Sequence, residues 1–336
     1  MGDARAAVPV AGPDLEAALE AQRPQLTGYC YRMLGSAFEA DDAVQETMLR
    51  AWRSIDRFEG RAALSSWLYR IATNVCLTML DGRKRRARPM DFGGPSAPEV
   101  PDGTSLVTHG EETWLEPIPT GRVLPGDADP AAVAESRETL RLAFVAALQH
   151  LPARQRAVLI LCEVLRWRAA EVAELLDTSV AAVNRALQRA RATLAERDVS
   201  LDESSPEAVD AENRELLDRY VEAFEEFDMD ALVAILHEDA TMSMPPFELW
   251  LRGAWAIREW NLGPGSGCRG SRLVPVHGNG VAGFAQYRPS GPGGSFRAWG
   301  LQLLDVSDGR IAAINCFLDV ERIFPLFGVP LTLPDR

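Results

Sequence analysis

The sequence lacks a cysteine pattern and a membrane-spanning apolar run. Its five cysteines, Cys30, Cys76, Cys162, Cys268 and Cys316, are far apart and form no C-x-x-C pair. This argues against a zinc site or a disulfide framework, so we expect no metal and no cofactor. No apolar run is long enough for a bilayer, and the N-terminal stretch has no apolar signal core. These absences predict a protein of the reducing cytoplasm with no membrane partner.

The negative charge of the chain is unevenly distributed. Its 336 residues have a formal net charge of −13, which would disfavour a nucleic-acid partner if it were spread evenly. Residues 89–135 carry 9 acidic and 1 basic side chain, and residues 200–336 carry 21 acidic and 11 basic. Residues 1–88 and 136–199 each have a small basic excess. Because local patches determine phosphate binding, these two segments are candidates for contact with DNA.

Residues 167–197 have the pattern of two short helices joined by a tight turn. Val172, Leu175 and Leu176 give the first helix an apolar face, and Ser179 can cap the second. The outward face of the second helix carries amide and cationic side chains: Asn184, Arg185, Gln188, Arg189 and Arg191. Such a helix fits the major groove of DNA, where these groups reach base edges and phosphates. The alternative is an αα-hairpin with a solvated arginine face.

Further motifs precede this hairpin in the sequence. They are VQET at 44–47, F-x-G-R at 58–61, WLYRIA-x-N at 67–74 with a basic run after it, and LPARQRAVLILCEV at 151–164. In this order, over about two hundred residues, they resemble the extracytoplasmic-function group of the sigma-70 family. The resemblance implies a promoter-recognition protein that binds RNA polymerase core and promoter DNA. Ser179 and the five outward residues above would then contact the −35 element.

The composition divides the chain into four regions. We expect sigma domain 2 over 15–88, an acidic flexible linker over 89–135, and sigma domain 4 with its helix-turn-helix over 136–199. Helical periodicity followed by strand-like runs predicts an α+β domain over 211–336. The fold class is therefore multidomain, with two all-α sigma domains before an α+β domain.

The acidic helix around VQET has an apolar face and a polar face. Helical spacing predicts that Ala43, Val44, Thr47, Met48, Ala51, Trp52 and Ile55 are core. For the residues on the polar face, the simplest interpretation is exposure to solvent. The resemblance implies instead that Asp42, Gln45, Glu46 and Leu49 dock on the β′ clamp helices of the core, and that the β flap is a further contact. Leu49 would be an apolar anchor among charges.

Promoter opening needs a cationic surface and pockets for flipped bases. The resemblance assigns this role to the loop Phe58, Glu59, Gly60 and Arg61, and to Asn74, whose amide can hydrogen-bond a base edge. Trp67 is expected in the core, whereas Tyr69 is equally compatible with exposure and burial. Arg83, Lys84, Arg85 and Arg86 lie in a run that ends the helix and would bind phosphates. The alternative for that run is a helix C-terminus favoured by the macrodipole.

The linker contains one apolar motif, Trp114-Leu115-Glu116-Pro117-Ile118-Pro119. An exposed Trp-Leu pair in a polar segment is typical of a docking motif. We predict that Trp114, Leu115 and Pro117 dock, and the motif resembles the WLxP-type linker motif of sigma factors with a C-terminal SnoaL-like extension. The order WLEPIP departs from that motif and leaves the docking partner open.

The C-terminal region resembles that same extension, a cone-shaped α+β SnoaL-like fold. Some proteins of this fold are enzymes, but Met242-Ser243-Met244 has no carboxylate where the isomerases carry their base. His237, Glu238 and Asp239 are expected to cap or flank the second helix of this domain, and they form no acid–base pair with His277 or Asp319 at convincing spacing. We therefore predict no catalytic residues. The expected lining of a pocket or core is Met242, Met244, Phe247, Trp250, Trp255 and Trp299.

Two interpretations of the whole chain remain at this stage. The first is a sigma factor regulated in cis by its acidic C-terminal domain, which would contact the basic sigma domains and do so more weakly as salt rises. The second is a bifunctional chain whose SnoaL-like domain is an isomerase- or cyclase-like enzyme. A stand-alone helix-turn-helix regulator would not need VQET, the F-x-G-R loop or the WLYRIA-x-N helix.

Overall fold

The chain forms two compact units, each built from two separate segments of the sequence. The computed structural model describes residues 13–55, 58, 63–96, 106–124, 136–196, 211–290 and 294–334. The first unit comprises Met1–Arg85 and Gly121–Glu203. The second comprises Arg86–Thr120 and Ser204–Arg336. The stretch between the two helical regions of the first unit therefore belongs to the second unit. We call its described residues, 86–96 and 106–120, the linker segment.

The secondary structure described in the first unit is helical. The helices are α1 (Pro13–Glu20), α2 (Arg23–Leu34), α3 (Ala37–Ser54), α4 (Leu64–Leu80), α5 (Leu142–Gln149), α6 (Ala153–Leu159), α7 (Ala169–Leu175) and α8 (Val180–Ala195). Helix α6 continues into a π-helical turn over Ile160–Val164. Ser36 caps α3 by accepting a hydrogen bond from the Glu39 amide at 3.2 Å.

Two buried arginines hold the helical regions of the first unit together. The Arg156 guanidinium of α6 donates to the carbonyl oxygens of Met33, Gln149 and Leu151. The Arg32 guanidinium of α2 donates to the carbonyl oxygen and to the hydroxyl of Thr139. Burial lowers the pKa of each arginine to about 10, so both remain charged near neutral pH and need these acceptors.

The second unit places helices on a curved sheet. The helices are α9 (Ala211–Glu225), α10 (Met229–Ala234), α11 (Ala254–Leu262) and α12 (Val320–Leu326). The strands are β1 (Leu236–Ser243), β2 (Trp250–Arg252), β3 (Arg272–Gly278), β4 (Val281–Ser290), β5 (Ser295–Ser307), β6 (Arg310–Phe317) and β7 (Thr332–Leu333). Their order is β2-β1-β6-β5-β4-β3, and β7 pairs with β5. The β1–β6 pair is parallel, and the other pairs are antiparallel.

The fold class and the order of elements confirm the α+β prediction for the C-terminal region. The strand-like runs predicted over 211–336 correspond to the longer strands β1, β3, β4, β5 and β6. His237, Glu238 and Asp239 flank the second helix of this domain, α10, and lie in β1. Helix α10 ends at Ala234, because the chain must turn there to bring Leu236 into register with Ile311 of β6.

Candidate promoter and polymerase-binding surfaces

Helix α8 presents the predicted DNA-contacting face to solvent. Ser179 caps it, with its Oγ accepting from the Ala182 amide at 3.2 Å, and Val183, Ala190 and Leu194 are buried. The five predicted side chains are exposed: Asn184, Arg185, Gln188, Arg189 and Arg191. Arg191 forms an ion pair with Glu163 at 2.5 Å. No ion pair of the described residues involves Arg185 or Arg189, so both guanidinium groups are open to an incoming partner.

Helix α3 has an exposed apolar pair within its polar face. The side chains of Asp42, Gln45 and Leu49 are exposed, Glu46 is half-buried, and Leu49 retains 45% of its accessible surface. Trp52 was wrongly predicted as core and is 53% exposed. It follows Leu49 by three residues, so it shares the face of Leu49 rather than that of the buried Ala51. The three-residue spacing between Leu49 and Trp52 already indicates a shared exposed face, but the apolar character of Trp52 favoured a core assignment.

Helix α4 exposes Asn74 and buries Tyr69. Asn74 is exposed near the middle of the helix. The Phe58 ring packs on the half-buried Trp67 with 5.1 Å between centroids. Tyr69 is buried between Tyr29 and Trp167, each at 5.3 Å between ring centroids. The structure therefore does not place Tyr69 on a DNA-facing surface. Glu59, Gly60 and Arg61 lie outside the described residues.

The basic run after α4 divides into an exposed part and a buried end. Helix α4 ends at Leu80, so the run follows the helix instead of ending it. Arg83, Lys84 and Arg85 are exposed, and Arg83 pairs with Glu39 at 2.5 Å. Arg86 is only 8% exposed and belongs to the second unit. Its predicted phosphate contact is contradicted, since its Nη1 donates to the carbonyl oxygens of Glu111 at 3.0 Å and Trp114 at 2.5 Å.

The linker segment is docked on the C-terminal domain. The sequence predicted a flexible linker here. The structure departs from that expectation because the apolar motif packs within its own unit. Trp114 is 4% exposed and packs against Phe92 and His109, with ring centroids 5.5 and 5.6 Å away. Leu115 and Pro117 are also buried.

Hydrogen bonds to the β3–β4 turn fix the position of the linker segment. The Ile118 amide donates to Asn279 Oδ1 at 3.0 Å, and the Asn279 amide donates to the Ile118 carbonyl at 2.9 Å. Asn279 has a φ of 52°, in the left-handed region that asparagine tolerates. The Gly280 amide donates to Thr120 Oγ1 at 3.0 Å. These paired contacts specify one register for the motif on the β3–β4 turn.

Ion pairs add to this docking. Arg322 of α12 contacts Glu111, Glu116 and Asp319. Burial opposes its charge, but these carboxylates together raise the pKa of Arg322. Glu116, itself buried, also lies 4.0 Å from Arg86 Nη1. The two cations of the linker docking, Arg86 and Arg322, are therefore both matched by carboxylates.

The C-terminal domain encloses a cavity of about 240 Å³. Of the expected lining residues, Met242, Met244, Phe247 and Trp299 do line it. Trp250 and Trp255 do not: the Trp250 indole donates to the Gly93 carbonyl at 3.0 Å, and Trp255 is 63% exposed. No carboxylate or imidazole occurs among the described residues that line the cavity. This geometry gives no support to the enzyme interpretation.

Three segments of the chain match known protein families. Residues 19–86 match Sigma-70 region 2, residues 141–194 match Sigma-70, region 4, and residues 217–314 match the SnoaL-like domain. In the described residues, no helix has the length and hydropathy needed to cross a membrane.

Relatives cover nearly the whole chain. The ECF RNA polymerase sigma factor SigG of Mycobacterium tuberculosis (strain CDC 1551 / Oshkosh) is 44% identical over 324 residues, which cover 95% of this chain and 85% of that protein. SigJ of M. tuberculosis (strain ATCC 25618 / H37Rv) is 28% identical and covers 88% of each chain. The crystal structure of M. tuberculosis SigJ shares the fold, with a TM-score of 0.60 and 23% identity over 94% of this chain and 99% of that one. The chain therefore belongs to the extracytoplasmic-function sigma factors of the sigma-70 family and carries a C-terminal SnoaL-like domain.

Proposed function

We propose that this sigma factor directs RNA polymerase core to promoters through three exposed surfaces of its first unit, and that its docked linker segment regulates this activity in cis. Family membership supports promoter recognition and transcription initiation as the function. The observation that carries the assignment of residues is the open amide and guanidinium face of α8. Because core polymerase works where the chromosome lies, the proposed location is the cytoplasm.

The proposed −35 contact is α8 in the major groove. Asn184, Arg185, Gln188 and Arg189 occupy the exposed face after the Ser179 cap. An arginine can bind guanine O6 and N7 in a bidentate manner, and an amide can bind adenine in the same way. Arg191, which pairs with Glu163, is better placed as a phosphate contact that can exchange its carboxylate for DNA.

The proposed core contact is the exposed face of α3. Leu49 and Trp52 form an apolar centre, and Asp42, Gln45 and Glu46 surround it with polar groups. A large apolar side chain within a polar rim is the usual composition of an energetic centre in a protein interface. We propose that this face binds the β′ clamp helices, and that the β flap contacts the region-4 helices.

The proposed melting surface is the exposed side of α4 with the basic run that follows it. Asn74 offers an amide for a base edge, and Arg83, Lys84 and Arg85 offer charge for the separated strand. The Phe58 ring, packed on Trp67, marks the start of the adjoining loop.

The proposed regulation acts through the linker segment. In the sequence this segment separates region 2 from region 4, and it is held on the SnoaL-like domain by the Trp114 motif and the Ile118–Asn279 bonds. To bind two separated promoter elements, regions 2 and 4 must lie a defined distance apart. Docking of the linker segment limits the length of free chain between the two regions, so undocking would change the distance that this chain can bridge.

Run-off transcription with purified core polymerase tests the proposal. The full chain should direct transcription from promoters selected in its presence, and core alone should not. Leu49→Glu should abolish holoenzyme formation, because it buries a charge in the proposed interface. Asn74→Ala should slow promoter opening, measured by permanganate footprinting, while closed-complex formation persists.

Matched controls separate these roles from folding. Glu222→Gln, on α9, replaces a charged residue of a helix in the SnoaL-like domain and should leave core binding unchanged. A premelted bubble template should restore transcription by Asn74→Ala. Equal loss on bubble and duplex templates would instead assign Asn74 to the fold. Trp114→Ala should change the transcript yield if linker docking is regulatory, and an unchanged yield would remove that part of the proposal.

A further inference from the structure

The cavity of the SnoaL-like domain has an apolar wall with a single charged group. Aromatic and aliphatic side chains from α9, α11 and the sheet form most of the wall, including Phe224, Trp260 and Ile314. Among the described lining residues Arg288 is the one charged side chain. A mostly apolar cavity with a few placed polar groups is the usual composition of a small-molecule site.

Within the part of the chain that the structure describes, Arg288 of β4 has no charged partner. Its Cζ lies 3.3 Å from the centroid of the Trp299 ring, and its Nη2 donates to Cys268 Sγ at 2.9 Å. Its Nε is buried and has no hydrogen-bond partner. A thiol is a weak acceptor, and leaving a buried cationic donor unpaired costs free energy. The acceptor that this group lacks is an anionic oxygen.

A chain of buried polar side chains lies along the same cavity. The Tyr220 hydroxyl donates to Gln302 Oε1 at 2.7 Å, and Gln302 Nε2 donates to Gln286 Oε1 at 2.9 Å. Gln286 Nε2 then donates to Ser271 Oγ at 3.0 Å. Of these side chains, Tyr220, Gln286 and Gln302 line the cavity. The polar side of the cavity therefore combines a cation with neutral donors.

We propose that this cavity binds a small organic acid, with its carboxylate on Arg288 and its apolar body against Trp260, Phe224 and Ile314. A cavity of about 150 Å³ holds benzene, so about 240 Å³ corresponds to a ligand of about ten non-hydrogen atoms. An aromatic or short aliphatic monocarboxylate has this size and charge. The linker segment contributes Leu106 to the wall, so the bound acid contacts the same segment that the proposed regulation uses.

Isothermal titration calorimetry on the full chain tests the site with two isosteric probes. Phenylacetate and phenylacetamide have the same shape and differ in charge. Phenylacetate should bind with a Kd on the order of 0.1–1 mM, and phenylacetamide about 10-fold more weakly or worse, because a charge-assisted hydrogen bond is stronger than a neutral one.

Arg288→Gln should weaken phenylacetate binding about 10- to 100-fold and leave phenylacetamide binding unchanged, which also shows that the cavity is intact. Arg288→Lys keeps the charge and should retain part of the preference for the acid. The matched control is Arg297→Gln on β5, where the arginine is exposed and pairs with Glu321 at 3.7 Å; it should bind like the unaltered chain.

Three outcomes overturn the inference. One is the absence of phenylacetate binding to the full chain at about 10 mM. Another is equal affinity for the acid and the amide, which would make the cavity a site for neutral ligands. The third is an Arg288→Gln variant, folded by circular dichroism, with unchanged phenylacetate affinity. If Arg288→Gln does not fold, the acid-to-amide ratio of the unaltered chain and of Arg288→Lys still decides the question.

Discussion

Helix α8 and the linker segment both depend on arginine, and they place it in opposite environments. Arg185 and Arg189 of α8 are exposed and form no ion pair among the described residues. Arg86 of the linker segment is buried against two carbonyl oxygens and Glu116. The open guanidinium groups can exchange water for DNA, whereas the buried one holds two stretches of its own chain together. A cluster of arginines in a sequence therefore does not by itself define a phosphate-binding surface.

The same comparison explains the division of the basic run. Arg83 and Arg85 remain on the surface of the first unit, and Arg86 is the first residue of the second. Neighbours in the sequence thus serve different units. Substitution of a buried arginine should lower stability, whereas substitution of an exposed arginine should weaken promoter binding. The expected effects differ in size.

The largest effect is expected for Arg86→Met. It removes the charged donor from the Glu111 and Trp114 carbonyl oxygens, at about 1.5–3 kcal/mol each, so the free energy of unfolding of the second unit should fall by about 3–5 kcal/mol. Urea unfolding followed by circular dichroism measures this. Arg83→Met, an exposed residue of the same run, is the control and should change the free energy of unfolding by less than about 1 kcal/mol. Equal effects would mean that Arg86 is not part of the linker docking.

Arg185→Ala and Arg189→Ala should act on promoter binding and not on stability. Each loses up to about 1–3 kcal/mol of discrimination at the −35 element if it contacts guanine. Competition between cognate and altered −35 sequences, with holoenzyme, measures the discrimination. Arg168→Ala provides an exposed arginine control outside α8. If both α8 variants keep full discrimination, α8 is not the helix that recognises the −35 element.

Ser179→Ala should have an intermediate effect of another kind. It removes the oxygen that accepts from the Ala182 amide, which costs about 0.5–2 kcal/mol of stability. Thermal unfolding should show this loss. Affinity for the −35 element should fall because α8 frays at its start and because the predicted Ser179 contact is removed. Ser179→Asp, which retains a capping oxygen, should restore the stability. A failure of restoration would show that the cap is not the source of the loss.

The smallest effect is expected for Arg83→Gln. Removal of one exposed phosphate contact should reduce the slope of log affinity against log salt by about 1, equally for all promoter sequences. Fluorescence anisotropy of holoenzyme on labelled promoter DNA measures the slope. A loss confined to one promoter sequence would point to a base contact instead.

The sequence was sufficient for the elements whose evidence is local. Helical spacing and the Ser179 cap predicted α8 and its exposed face, and alternating strand patterns predicted most of the C-terminal sheet. Local spacing could not predict the burial of a side chain by residues that are distant in the sequence. Tyr69 is covered by Trp167 and Arg86 by the Trp114 carbonyl, and neither partner is indicated by the spacing around the residue. The short strands β2 and β7 also depend on their pairing with longer strands, because two or three residues carry no periodicity.

The hydrogen bond between the Ile118 amide and Asn279 joins residues separated by 161 positions. A ribosome adds about 5–20 residues per second, so Asn279 is made roughly 10–30 seconds after Ile118. By the end of that interval regions 2 and 4 have both been synthesised, while the β3–β4 turn that holds Ile118 does not yet exist. Each newly made molecule therefore passes through a period in which its linker is uncovered. A message or chain that ends before the SnoaL-like domain keeps the factor permanently in that state.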